Sequence, residues 1–264
     1  MSISEGTKEL LMVTTDPENS AEQIAALESA LAERDARIQS LELRAGGTEA
    51  HRAVIYGFAQ LAESRDDDTG EHLHRIRGLV SAIATEMVRL DLSHPGEPDP
   101  LTSAQVELIA ETSQLHDIGK VSTPDAILLK PGRLTDDEWV QMRRHTMVGF
   151  DILNAMRQQW PEQDFLDVAC RIALCHHENW DGGGYPLGLS GVAIPLCARI
   201  VSVADVYDAL THRRAYKEAM RHEDAVRIIV SESGRKFDPL VVQAFASISE
   251  HFRDGDVSPL RLSA

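Results

Sequence analysis

The chain has 264 residues, a formal net charge of −16, 43% hydrophobic residues and 5% aromatic residues. This length suits one medium domain with an appendage, or two small domains, and the composition is that of a globular, helix-rich protein. Phosphate binding relies on surface Lys and Arg, so we expect no nucleic-acid polymer and no anionic membrane as partner. An anionic substrate would have to be attracted locally, by metal ions or by a few placed cations.

Three cysteines, Cys170, Cys175 and Cys197, form no CxxC pair. This pattern disfavours both a disulfide framework and a thiolate zinc site, and we expect buried, reduced thiols. The N-terminus lacks the features of a signal peptide, and no apolar run is long enough to span a bilayer. These observations predict a cytoplasmic protein.

The first fifty residues differ from the rest, because all eleven histidines follow residue 50. Residues 1–19 are polar and are expected to fray. Residues 20–48 are predicted to form a coiled-coil-like helix with a weak heptad pattern, interrupted by Arg34. This helix could dimerise or transmit a signal, or it could fold back onto the main domain. The heptad positions that carry the pattern are Ile24, Leu27, Leu31, Ile38 and Leu41.

Beyond residue 50, apolar residues recur at helical spacing and no stretch alternates with period two, so we predict an all-α fold with essentially no sheet. Thr135-Asp136-Asp137-Glu138 resembles a capping box that starts a helix running through His145. Two Pro- and Gly-containing segments, 93–100 and 181–194, are predicted loops. The predicted helices are His51–Arg65, Glu71–Leu90, Thr102–Ile118, 135–145, Phe165–His177, Ala198–Leu210, Glu223–Ser231 and Pro239–Phe252.

The first chemically unusual segment is Leu115-His116-Asp117-Ile118-Gly119-Lys120, which we expect at the end of an apolar helix. A buried carboxylate needs compensation, which an ion or a metal can supply. Gly119 would end the helix and let Lys120 approach the same spot. By itself the pair is compatible with metal ligation or with a hydrogen-bonded His–Asp pair.

The second segment is His176-His177-Glu178-Asn179-Trp180-Asp181-Gly182-Gly183-Gly184-Tyr185-Pro186. Two consecutive histidines at a helix end can reach two neighbouring metals. The glycine run allows positive φ and close backbone approach, and Asp181 is predicted to organise the turn rather than to bind a metal.

Three further segments supply oxygen and nitrogen ligands. Asp68 and His72 are four residues apart and share a helix face, His145 follows two arginines, and Asp205 lies in an apolar run. Each of these residues alone is more often a satisfied polar group. Together with the two segments above they provide five histidines and three aspartates, a set that suits iron, manganese or another first-row metal.

In six blocks the sequence resembles the HD-GYP domain, a bacterial branch of the HD phosphohydrolase superfamily. The resemblance covers about residues 51–255, which we take as the catalytic domain, a helical bundle followed by a tail at 256–264. The blocks are DDDTGEHLHRI, LHDIGKVSTPDAILLKPGRLTDDEW, HTMVGFDIL, HHENWDGGGYP, IPLCARIVSVADVYDALTHRRAYK and GRKFDP.

The resemblance implies a phosphodiesterase that hydrolyses cyclic di-GMP to pGpG or GMP with two or three divalent metal ions, Fe or Mn. The implied metal ligands are His72, His116, Asp117, His145, His176, His177 and Asp205, with Asp68 at a position where many members have a Glu. Asp117 is implied to bridge the metals.

Other implied roles concern the substrate. Lys120 would contact the nucleophile or a phosphoryl oxygen, Arg214 and Lys217 would clamp a phosphate, and Tyr185 would shape the pocket. A homodimer through the N-terminal helix and a signalling partner domain are further expectations. Two rivals are a protein that binds a cyclic dinucleotide or a partner without turnover, and an HD hydrolase of another nucleotide.

Overall fold

A computed structural model describes residues 53–65, 71–97, 101–212 and 219–253. All of them belong to a compact unit that begins at Ala53. The predictions for residues 1–19 and for the helix at 20–48, and the tail at 256–264, therefore lie outside the described residues.

The described part of the chain is helical, as the sequence predicts. It contains no strand, and its only strand-like feature is an isolated bridge between Ser233 and Phe237. The α-helical segments are α1 (53–63), α2 (Glu71–Arg89), α3 (Ser103–Thr112), α4 (Asp125–Leu128), α5 (Asp136–Arg143), α6 (His145–Gln159), α7 (Asp164–Cys175), α8 (Leu196–Thr211), α9 (His222–Ser231) and α10 (Pro239–Ile248). Short 3₁₀ turns lie at Ser113–Leu115, Ile118–Ser122, Gly191–Ala193 and Ser249–Phe252.

Local sequence signals set the helix starts. Thr135 and Glu138 form the predicted capping box of α5, in which each side chain accepts a hydrogen bond from the other residue's backbone N–H. Thr102 caps α3 in the same way with Gln105. These bonds satisfy backbone donors that the first turn of a helix leaves without intrahelical partners.

Two large apolar cores and one small cluster hold the helices together. The larger core joins α2, α3, α7, α8, α9 and α10, and the smaller one joins α1, α6 and α7. The small cluster consists of Cys175, Ile194 and Ala198. Helix α2 contributes to both large cores, with Leu73 in the smaller core and Ile76 in the larger one. Among the helices that the structure describes, none combines the length and apolarity needed to cross a membrane.

Two predicted boundaries are wrong near the chemically unusual residues. The helix expected to run from Thr102 to Ile118 ends at Thr112, and His116 and Asp117 lie between two 3₁₀ turns. The helix expected to end at His145 stops at Arg143, and His145 begins the new helix α6. In both places buried contacts, rather than apolar periodicity, decide where the backbone turns.

Candidate metal centre

Helix ends bring most of the predicted ligands together. His72 lies in the first turn of α2, His145 opens α6, and His176 and His177 follow the end of α7. Asp205 lies inside α8. The seven described ligand candidates form two groups, within each of which the ligand atoms lie no more than 4.8 Å apart.

The first group consists of Asp117, His145, His176 and His177. Asp117 Oδ1 lies 3.2 Å from His145 Nε2 and 3.7 Å from His176 Nε2. The two histidine Nε2 atoms are 3.5 Å apart. Two imidazoles therefore face one oxygen of a single carboxylate, and the ligand atom of His177 lies within 4.8 Å of those of the other three residues.

The second group consists of His72, His116 and Asp205. His116 Nε2 lies 3.9 Å from Asp205 Oδ1 and 3.3 Å from Asp117 Oδ2. Asp117 thus presents Oδ1 to the first group and Oδ2 to His116 of the second, and it is the residue that connects the two groups. Lys120 Nζ lies 2.8 Å from the same Oδ2 atom.

Hydrogen bonds at Nδ1 fix how these imidazoles face the centre. His116 Nδ1 donates to the Ser113 carbonyl oxygen at 2.9 Å, and His145 Nδ1 donates to the Met142 oxygen at 2.7 Å. His176 Nδ1 donates to the Ile172 oxygen at 2.9 Å. Because Nδ1 carries the proton in each neutral ring, the lone pair on Nε2 points towards Asp117, which is how metal-ligating histidines are commonly held.

Burial and repulsion from neighbouring imidazoles favour the neutral forms of His145 and His177. Burial, with a smaller contribution from His176, lowers the pKa of His145 to about 4 despite the attraction of Asp117. Burial and His176 also hold the pKa of His177 well below its usual range. A neutral imidazole is the form that binds a metal.

Neighbouring charges favour the ionised forms of Asp117 and His116. Burial favours its neutral form, but Lys120 and His116 hold the pKa of Asp117 well below its usual range. Burial disfavours protonation of His116, yet Asp117 and Asp205 raise the pKa of His116 to about 9. A proton on His116 and a metal cation would therefore compete for the same carboxylate oxygens.

Two buried atoms at the junction support a fit to a metal ion. His116 Nε2 and Asp117 Oδ1 find no hydrogen-bond partner among the described residues. Buried polar atoms are normally paired, because leaving one unpaired is unfavourable. Histidine nitrogen and carboxylate oxygen are both common ligands of first-row metals, so the residues present fit such an ion.

Two glycines make the close approaches possible. A Cβ on Gly119 would lie 1.9 Å from the His145 carbonyl oxygen and 2.5 Å from the Gly149 nitrogen. A Cβ on Gly184 would lie 2.2 Å from the Asn179 nitrogen. The backbone that follows Asp117 can therefore pack against the first turn of α6 only because position 119 has no side chain.

The GGGYP loop is folded around two carboxylates. Glu178, which is buried, accepts hydrogen bonds from the backbone N–H groups of Leu187 at 2.7 Å and Leu189 at 3.1 Å. Asp181 Oδ1 accepts one from Gly183 at 2.8 Å and organises the turn, as the sequence predicts. The Tyr185 ring stacks on His177 with centroids 4.8 Å apart, so the loop lies directly beside the first group.

Sequence reasoning missed two carboxylates. Asp208 Oδ2 lies 2.6 Å from His72 Nδ1, and Asp208 also accepts a hydrogen bond from Arg75 Nε at 2.5 Å. Buried Glu63 places Oε1 3.6 Å from His72 Nε2, and burial raises the pKa of Glu63. Asp208 follows Asp205 by three residues, so both lie on one helix face. Glu63 follows Ala59 by four residues and therefore continues the buried face of α1. These two spacings could have revealed both carboxylates from the sequence.

Not every predicted site residue can be placed. Asp68, Arg214 and Lys217 lie outside the described residues. Lys120 and Tyr185 lie next to the first group, and the seven other predicted ligands form the two joined groups. The assignments of all these residues as ligands or substrate contacts stay predictions.

The domain is a bundle of helices around two joined groups of histidine and aspartate residues, which could hold metal ions. The HD domain family profile matches residues 58–241. The chain therefore belongs to the HD domain family, and the predicted resemblance to its HD-GYP branch is confirmed.

Curated relatives are similar over most of the chain. A protein of Vibrio cholerae serotype O1 named cyclic di-GMP phosphodiesterase is 44% identical over 216 residues, which cover 81% of this chain and 43% of that protein. A cyclic di-GMP phosphodiesterase of Thermotoga maritima is 42% identical, covering 76% of this chain and 50% of that protein. A 3′3′-cGAMP-specific phosphodiesterase 2 of V. cholerae is 34% identical, covering 78% and 36%. The chain spans half or less of the length of these relatives.

Proposed function

We propose that the chain is a metal-dependent phosphodiesterase that hydrolyses cyclic di-GMP to pGpG or GMP. The observation that carries this proposal is the junction at Asp117, whose two oxygens face two adjacent groups of ligand atoms. The names of the curated relatives support the substrate class, since each of the three described above is a cyclic-dinucleotide phosphodiesterase.

The residues of the two groups would hold two or three divalent ions, and Fe or Mn suits the nitrogen and oxygen donors. When bound, such ions lower the pKa of a water molecule and neutralise charge on a phosphoryl group. The ligands are His72, His116, Asp117, His145, His176, His177 and Asp205, with Asp68 as a further carboxylate.

The chain's own cations and aromatic groups would position the substrate. Lys120 Nζ, held 2.8 Å from Asp117, places a positive charge where a phosphoryl oxygen or the nucleophile would lie. Arg214 and Lys217 would clamp a second phosphate, and Tyr185 would form a wall of the pocket. A homodimer through the N-terminal helix, a signalling partner and a cytoplasmic location stay predictions.

The proposal is tested with protein purified without oxygen, loaded with Fe or Mn and assayed for cyclic di-GMP hydrolysis by chromatography of pGpG and GMP. The double variant His116→Ala with Asp117→Ala should lose both metal and turnover. Replacing His72, which faces the site, should lower metal content, whereas His74→Ala on the exposed side of α2 should not. Full activity of the double variant would show that the site is wrongly assigned.

A second variant separates substrate binding from metal binding. Arg214→Ala should raise KM or lower kcat/KM while metal content stays at the wild-type level. Loss of metal in this variant would contradict the role we give it. Assays with 3′3′-cGAMP and with nucleotide monophosphates or triphosphates test the other substrates, and binding of cyclic di-GMP without hydrolysis would support a non-catalytic receptor instead.

A further inference from the structure

Three side chains form a stack that leads away from the first ligand group, and we call them the aromatic corner: Trp139, Arg143 and Tyr185. The guanidinium carbon of Arg143 lies 5.0 Å from the centroid of the Tyr185 ring and 5.9 Å from that of Trp139. Tyr185 in turn stacks on His177 at an interplanar angle of 28°. The corner therefore extends by direct contacts from His177, a candidate metal ligand, to the protein surface.

The outer part of this corner is exposed to solvent. The Trp139 side chain is 46% exposed, and Arg143 is exposed as well. Within the part of the chain that the structure describes, no carboxylate pairs with Arg143, although Arg157 and Arg253 each have one. This part of the corner therefore offers a flat apolar ring and a guanidinium with donors to a ligand.

Helix α5 places Trp139 and Arg143 on the same face, one turn apart. Its acidic residues, Asp136, Asp137 and Glu138, lie in the first turn, whereas Arg143 lies in the last. Trp139 precedes Arg143 by four residues, so both side chains lie on one face of the helix. The contact of Arg143 with Tyr185, whose ring stacks on His177, places this part of the helix beside the candidate centre.

We propose that the aromatic corner is a subsite for one purine base of the substrate, an inference that rests on the proposed function. The base would stack on the exposed face of Trp139, since every base offers a flat π-surface to an aromatic ring. The guanidinium of Arg143, which lies beside the Trp139 ring, would donate hydrogen bonds to the O6 and N7 acceptors of guanine. Adenine presents a donor at the corresponding N6 position, so this contact favours guanine.

The test compares two diesters on metal-loaded protein: cyclic di-GMP and bis(p-nitrophenyl) phosphate, which carries no purine. Trp139→Ala and Arg143→Ala should each raise KM for cyclic di-GMP about tenfold, the scale of losing one base stack or one base-edge contact. Turnover of the small diester and metal content should not change. Trp139→Phe should restore most of the loss, because a phenyl ring still offers a stacking surface.

The controls are Trp160→Ala, a similarly exposed tryptophan that directly follows α6, and Arg227→Ala, an exposed arginine on α9. Both should leave KM at the wild-type value. Equilibrium binding to metal-free protein tests whether the corner distinguishes guanine from adenine. Wild-type protein should bind cyclic di-GMP more tightly than cyclic di-AMP, and Arg143→Ala should reduce this difference in Kd.

The outcomes separate the subsite from the activity. If wild-type protein hydrolyses cyclic di-GMP and the two alanine variants keep its KM, the subsite is wrong and the proposed function stands. A parallel loss on the small diester would mean that the corner only supports the fold of the site, and an unchanged Kd ratio would overturn the contact with the guanine edge. Wild-type protein that neither binds nor hydrolyses cyclic di-GMP would refute both proposals.

Discussion

Replacing Gly119 by alanine tests whether close backbone packing positions the candidate centre. The added Cβ would lie 1.9 Å from the His145 carbonyl oxygen, whereas ordinary contacts begin near 3.4 Å. The two backbone segments would have to separate by about 1.5 Å, the difference between these distances. Since the clashing atoms belong to the backbone of α6, no side-chain rotation can relieve the contact.

The expected destabilisation lies at the upper end of the range for overpacking, about 3 kcal/mol. For a domain of this size each kcal/mol shifts Tm by about 2–4 °C, so Tm should fall by about 6–12 °C. The same movement displaces His145 from Asp117, and a misplacement of about 1 Å can lower the rate about 100-fold. Metal content should fall together with cyclic di-GMP hydrolysis.

The matched control is Gly57→Ala, at a helical position in α1 where no atom lies within 4 Å of an added Cβ. Because alanine is the better helix former, this variant should gain about 0.5–1 kcal/mol. Thermal denaturation and metal analysis of both variants provide the measurement. A Gly119→Ala protein with wild-type Tm and full metal content would refute the argument from backbone contact.

Other predictions follow from the same structure. Asp208→Ala should weaken metal affinity about 10- to 100-fold, because it removes the carboxylate that orients His72. Asp224→Asn, at the surface, is the control. Equal metal affinity in the two variants would contradict the role of Asp208 in orienting His72. Chelation should lower Tm by about 5–11 °C, since a ligand at 100 times its Kd contributes about 2.7 kcal/mol; an unchanged Tm would mean that no stabilising metal is bound. Burial raises the pKa of Cys175 to about 12 and of Cys197 to about 11, so these thiols stay protonated at pH 8 in the folded state. They should react with a thiol reagent only after unfolding, and rapid labelling of native protein would contradict their burial.

Apolar spacing and capping residues were sufficient to predict the helical class and most helix starts. The signals are local in the sequence, as at Thr135 and Glu138, where the capping box forms as expected. They failed at His116 and His145, where the chain leaves regular helix within a buried region. Helical periodicity carries no information about such a turn, because it depends on what packs against it from another helix.

The sequence by itself determined which chemical groups are available: histidines and aspartates in six ordered blocks, with glycines beside them. Only the tertiary structure decided how they are divided, with Asp117 between two groups. It also turned the Nδ1 atoms of His116, His145 and His176 towards backbone carbonyl oxygens. It also revealed Glu63 and Asp208 beside His72, and Arg143 beside two aromatic rings. The reason is physical: ligand identity is a property of the residue, whereas orientation and burial depend on contacts between helices that are distant in the chain.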